Sequence, residues 1–214
     1  MSAFELLVAK LACLALALGV VVGTAQAQEA KLSPAQREAK AREYFTDTRL
    51  KTQAERTVRF YSDAMKGKVV LINFVFTQCG DACPLITAKL VQTKKELGEL
   101  FGAEVRFLSL SIDPQHDRPQ DLAKFAQKFD AVHPEWLFLT GEPKSVEAVV
   151  KRLGSWTEDI ESHSTAIIIG SAQQGKWKKV RPDAPPKIVA EELRHLVAGE
   201  QEARKLARAG SSGR

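Results

Sequence analysis

Cysteine is scarce in this chain, which holds three in 214 residues. One of them, Cys13, lies in an apolar N-terminal stretch, so a chain that loses that stretch keeps only Cys79 and Cys83. A single possible disulfide argues against a disulfide-built scaffold, and a bridge across so short a loop would remove little unfolded-state entropy. A bilayer-spanning run is also missing, because the apolar stretch at 11–22 has the length of a signal-peptide core. There is no internal repeat, and biased sequence is confined to the two ends. Charge of one sign is weak, at +5 net. The denser basic groups, Lys176, Lys178, Lys179 and Arg181, then Arg204, Lys205, Arg208 and Arg214, lack aromatics interleaved at a recognised module spacing. That speaks against a nucleic-acid partner and leaves solvated faces or a loose attraction to anionic surfaces.

What the chain does have begins with a leader. Small residues ending in Ala25-Gln26-Ala27 follow the apolar stretch and predict cleavage before Gln28, which makes residues 1–27 a signal peptide and the rest an exported protein. An uncleaved leader anchored in the inner membrane is the alternative. A composition 44% hydrophobic suffices for one core. The expected organisation is a polar N-terminal arm at 28–43, with Ser33-Pro34 capping a short helix, one domain at 44–198, and a basic, fraying tail at 199–214.

The domain is organised around the run from Lys68 to Pro84, Lys-Val-Val-Leu-Ile-Asn-Phe-Val-Phe-Thr-Gln-Cys-Gly-Asp-Ala-Cys-Pro. Its β-branched and aromatic residues predict a strand buried on both faces of a largely parallel sheet. Pro84 suits a first helical position, which places both cysteines on a strand-to-helix turn, where open α/β sheets put ligand chemistry. Short strands are expected at 44–50 and 57–60, then strands at 105–112 and 136–139 alternating with helices at 85–97, 119–129 and 144–153. A hairpin at 166–169 and 177–180 and a helix at 186–198 follow. This order predicts an α/β, thioredoxin-like fold with an additional strand and helix before the C-terminal hairpin.

Of the four histidines, His163 directly precedes a strand expected to run antiparallel to the cysteine-bearing one, so its start lies beside the cysteines. The segment 159–169 contains no proline, where thiol oxidoreductases of this fold usually place a cis-proline. His116 follows a parallel strand and also reaches this edge of the sheet, as an outer group. His133 and His195 are expected at the surface or at helix ends. Two thiolates and an imidazole form a soft set of three that suits Cu(I) and also holds Cu(II) with an added oxygen. Zinc would want a fourth protein ligand. Asp159, Glu161 or Asp81 would orient the imidazole through its second nitrogen.

Together with Leu-Ser-Ile-Asp-Pro-Gln-His-Asp, Trp-Leu-Phe-Leu-Thr-Gly and His-Ser ahead of an isoleucine-rich strand, the cysteine run resembles the SCO/SenC family. The resemblance implies a thioredoxin-like copper metallochaperone on the periplasmic side, usually membrane-tethered, that helps assemble the dinuclear copper centre of cytochrome c oxidase. Its partner would be the copper-bearing oxidase subunit or another copper chaperone. By position, it assigns Cys79, Cys83 and His163 as copper ligands. Many relatives carry an acidic residue directly before the histidine, where this chain has Ser162. The competing class is an enzyme, a thiol-disulfide oxidoreductase or redox sensor in which Cys79 and Cys83 form the redox pair. Copper binding should need His163; disulfide exchange does not.

Overall fold

The computed structural model describes residues 32–160 and 163–211. The leader expected at 1–27 lies outside them. Among the described residues no helix is long and apolar enough to cross a membrane.

The run that opens the cysteine stretch forms β3, Val69–Val75, all seven residues buried. Burial on both faces is what a strand without polar alternation requires, and β3 lies inside a seven-stranded sheet. It pairs in parallel with β4, Val105–Ser111, which pairs in parallel with β5, Trp136–Thr140. On its other side β3 pairs antiparallel with β6, Ile167–Ser171, which turns back into β7, Lys176–Val180. A hairpin of β1, Arg49–Thr52, and β2, Thr57–Arg59, extends the sheet antiparallel beyond β5. The spatial order is β2-β1-β5-β4-β3-β6-β7. This is the thioredoxin-like α/β fold expected, with its extra strand and helix before the hairpin.

The helices are α1, Pro34–Phe45; α2, Ala82–Leu97; α3, Pro119–Lys128; α4, Pro143–Arg152; and α5, Pro186–Ser211. Pro34, Pro119 and Pro143 each open a helix, where the missing N–H costs nothing. α2 packs along α5, and α4 packs along α1.

Three local expectations differ from the structure. The polar stretch near Ser33 is more than a loose arm. Ser33 and Gln36 form a reciprocal capping box, and α1 runs past Arg42 to Phe45, whose ring lies 4.8 Å from that of Trp177. Helical capping and two buried residues, Ala41 and Phe45, override the strand pattern read at 44–50. At the other end, α5 does not stop at Gly199. The residues after it are strong helix formers, and Glu200 is buried against the Ser171 hydroxyl. Finally, α2 starts two residues before Pro84, so the proline sits in the first turn and not at its head. The first four N–H groups of a helix lack intrahelical partners, and a proline is tolerated there.

Candidate metal centre

The site is built at the C-terminal end of β3. Beyond Val75 the chain turns at the buried Phe76, and Thr77 is held by two bonds to one carboxylate oxygen. Its N–H and its hydroxyl donate to Asp117 Oδ1 at 3.0 and 2.6 Å. The other oxygen, Oδ2, accepts from the Ser111 hydroxyl at 2.6 Å. Asp117 is 1% exposed, and burial raises its pKa despite these bonds. The carboxylate therefore ties the root of the cysteine loop to the end of β4.

Cys79 donates its N–H to the Phe76 carbonyl at 3.1 Å. Its sulfur accepts from the Cys83 N–H at 3.4 Å, inside the first turn of α2. Asp81 stands at the N-cap of that helix without capping it through its side chain. The sulfur of Cys79 thus stands where a capping oxygen normally would. Burial opposes its ionisation, but hydrogen bonds from the Cys83 thiol and from the N–H groups of Cys83, Asp81 and Ala82 outweigh burial. They hold the thiol below its ordinary pKa.

Cys83 is fully buried. Burial, then its hydrogen bond to Cys79, pushes its pKa up to about 12, with the charges of Cys79 and Asp117 adding to the effect. Both thiols are free. The pair is asymmetric: one partly exposed thiol held below its ordinary pKa, and one buried thiol kept protonated.

His163 comes to the same edge. β6 pairs Ile168 with Ile72, so the residues just before β6 run beside the end of β3. The His163 ring meets the Phe76 ring edge-on at 5.4 Å. Its Nδ1 is 2.8 Å from the Ile160 carbonyl oxygen, an acceptor only, so Nδ1 carries the proton. Nε2 is buried and has no hydrogen-bond partner. A bare imidazole lone pair enclosed at the edge that carries two free thiols fits a soft metal ion, and the backbone carbonyl supplies the orienting contact. That carbonyl takes the role expected of an acid; Glu161 and Ser162 lie outside the described residues.

The remaining histidines separate as their elements dictate. His116 is exposed and bonded to Asp113 at 2.8 Å. His133 packs on Phe101 and accepts the Glu135 N–H, and His195 is exposed on α5. Among the described residues no three His, Cys, Asp or Glu side chains stand close enough together to hold a metal ion. The fold thus brings His163 and the cysteines to one edge, joined through Phe76, without closing them around a point.

The Asp117 clamp was not found from the sequence. Its signals were faint: a hydroxyl residue, Thr77, directly after a largely apolar stretch, a serine ending the next strand, and an acid four residues beyond Asp113.

Residues 37–198 match the sequence profile of the SCO1/SenC family, well over half of the chain. This chain belongs to the SCO1/SenC family. The SCO1 protein homolog of Bacillus subtilis strain 168 is 36% identical to it over 99 residues, covering 42% of this chain and 51% of that protein. The chain thus spans about half the length of that relative. A structure of BsSco, described with a disulfide switch and as a member of the Sco family of cytochrome c oxidase assembly proteins, is 25% identical with a TM-score of 0.59. It covers 70% of this chain and 91% of that one. Bradyrhizobium japonicum ScoI, solved with copper bound, shares the fold at 23% identity and a TM-score of 0.59, covering 70% of this SCO1/SenC chain and 96% of the other.

Proposed function

We propose that this SCO1/SenC protein is an exported, periplasmic copper metallochaperone that binds copper through Cys79, Cys83 and His163 and hands it on during assembly of the dinuclear copper centre of cytochrome c oxidase. The observation that carries the reading is the buried, partnerless Nε2 of His163 at the edge where two free thiols lie. Relatives described with bound copper and as oxidase assembly proteins support it. Copper is cargo here. Two thiolates and an imidazole hold soft copper, and loading draws the three side chains together while Cys83 gives up its proton. Cys79, the exposed member, is the ligand an acceptor thiolate displaces first. The partner is the copper-bearing oxidase subunit or another copper chaperone.

The asymmetry of the thiols favours a second reading, a thiol-disulfide reductant. The Cys79 thiolate attacks a target disulfide and one target sulfur leaves. Cys83 then loses its proton and attacks Cys79 Sγ, which frees the second target sulfur. The target gains two electrons and the pair becomes a disulfide.

Titration of the reduced protein with Cu(I) against a competing chelator, beside His163→Ala and Cys79→Ser, decides between them. One copper per chain, bound at least tenfold more weakly in both variants, is expected. Binding by His163→Ala equal to wild type, or weak wild-type binding alongside efficient disulfide reduction, overturns the copper reading.

A further inference from the structure

The exposed sulfur opens into a cleft. A hollow of about 270 Å³ beside Cys79 is lined by Thr77, Pro84, Phe125 and Phe129 and edged by Lys124 and Lys128 of α3. Phe125 is buried and Phe129 half-buried, which makes an apolar floor, and Leu85, next to Pro84, is 64% exposed at the same helix end. Both lysines are exposed, and among the described residues neither has a carboxylate in ion-pair reach. Lys128 lies over the Phe129 ring at 5.3 Å. The one acid in the cleft, Asp121, is bonded to Arg118 at 2.9 Å and also feels the charge of Lys124, without an ion pair to it. The hollow next to the Ile160 turn that orients His163 is lined in part by Asp113, Glu147 and Glu158, of which Asp113 is paired with His116 and Glu147 with Lys151. The site therefore has a basic, apolar-floored flank on the Cys79 side.

We infer that the cleft between Cys79 and α3 is the docking groove for the partner protein, and that it receives an extended segment carrying a cysteine with an apolar residue and a carboxylate beside it. This rests on the proposed function, because it names the segment to which the site passes copper or electrons. The apolar residue lies on Phe125 and Phe129, and the carboxylate meets the two lysines without desolvating a pre-existing ion pair. The partner sulfur then lies at Cys79, where ligand exchange or disulfide exchange begins. A segment basic at that position is repelled by the same lysines, so the groove selects as well as binds.

The test is a copper-free exchange reaction. Cys13→Ser/Cys83→Ser leaves Cys79 as the single thiol of the chain. The probes are matched peptides with one cysteine, activated as a 2-thiopyridyl disulfide, that differ only in carrying glutamate, glutamine or lysine beside it. Cys79 thiolate attacks the peptide sulfur, the protein-peptide disulfide forms, and 2-thiopyridone leaves and is counted by absorbance. The glutamate peptide should react about tenfold faster than the lysine peptide at low salt, with the ratio shrinking as salt rises. Lys124→Glu/Lys128→Glu should invert the ratio while the glutamine peptide still reacts. Because only ratios between peptides are compared, a change in the intrinsic reactivity of Cys79 cancels. Equal rates for the three peptides, or a preference for glutamate unchanged by the lysine substitutions, overturns the groove. Copper affinity is measured separately, so failure of the groove and failure of the copper reading are distinct results.

Discussion

His163 donates its Nδ1–H to the carbonyl oxygen of Ile160 at 2.8 Å, and this bond decides which nitrogen is left to act. A carbonyl can only accept, so the neutral ring is the Nδ1–H tautomer and its lone pair is on the buried Nε2. Long-range proton–nitrogen NMR at a pH where the ring is neutral should find Nδ1 protonated and Nε2 not. Adding Cu(I) should move the Nε2 resonance far more than Nδ1. An Nε2–H tautomer in the copper-free protein would show that the ring is not poised as described.

The two cysteines should separate cleanly in their reactivity with pH. Backbone and thiol hydrogen bonds hold Cys79 below the ordinary thiol value, while burial drives Cys83 to about 12. Iodoacetamide followed by peptide mapping should label Cys79 near neutral pH and leave Cys83 unmodified until the protein unfolds. The stability consequence of Cys83 has a definite sign. Its folded pKa is raised, so above about pH 9 the unfolded chain releases this proton and the folded one keeps it. Stability should therefore fall as pH rises from about 9 towards 12, and Cys83→Ser should flatten that part of the curve. An unchanged alkaline slope in Cys83→Ser would mean the thiol is not held as the geometry requires.

Much of this was legible in the chain, for reasons that can be named. The near-continuous apolar run at 69–75, broken only by Asn73, offers no alternating polar face, so it had to be a central strand. Once the hairpin returned antiparallel beside it, His163 was placed at the cysteines by topology alone. What escaped were interactions between residues far apart in sequence that leave no periodic trace. The bonds of Thr77 to Asp117 cross forty positions, and the contact of Phe45 with Trp177 converts an apparently polar arm into a packed helix. Gly199 looked like a helix stop because the bond that buries Glu200, one residue later, comes from Ser171 of β6, far away in sequence.

Asp117 should reveal itself by the difference between two substitutions. Asp117→Ala leaves the Thr77 N–H, the Thr77 hydroxyl and the buried Ser111 hydroxyl without their acceptor. The expected cost is about 3 kcal/mol, read as a shift in the urea midpoint. Asp117→Asn keeps the oxygen that serves Thr77, removes a buried charge that faces Cys83, and should cost less than about 1 kcal/mol. The raised carboxyl pKa gives the sign of the pH effect. The folded state holds this proton more tightly than the unfolded one, so the wild type gains stability from Asp117 as pH falls through the raised folded value, with the gain complete below 3.8. Asp117→Asn should lack that gain. Equal losses in both variants across pH would mean that shape, not the carboxylate, holds the loop.

The end of β6 opposite His163 offers a control in which stability and function part. Ser171 is fully buried there, accepts the Gln174 N–H at 3.1 Å and donates its hydroxyl to Glu200 of α5. One helical turn further on, Arg204 pairs with Glu104 at 2.6 Å. Glu200→Ala strands a buried hydroxyl and should cost about 2 kcal/mol, whereas Glu200→Gln keeps an acceptor and should cost less than half of that. Arg204→Ala breaks a partly exposed pair, and about 0.5 kcal/mol is expected. Removing residues 199–214 combines both losses and shortens α5, so its melting temperature should fall below that of Glu200→Ala. Ser171 pairs with Val69 at the start of β3, a full strand length from Cys79. Copper affinity should therefore be the same as wild type in every one of these variants at a temperature where they are folded. A loss of affinity in folded Glu200→Ala would mean that the register of β6, and with it the position of His163, depends on the far end of the last helix.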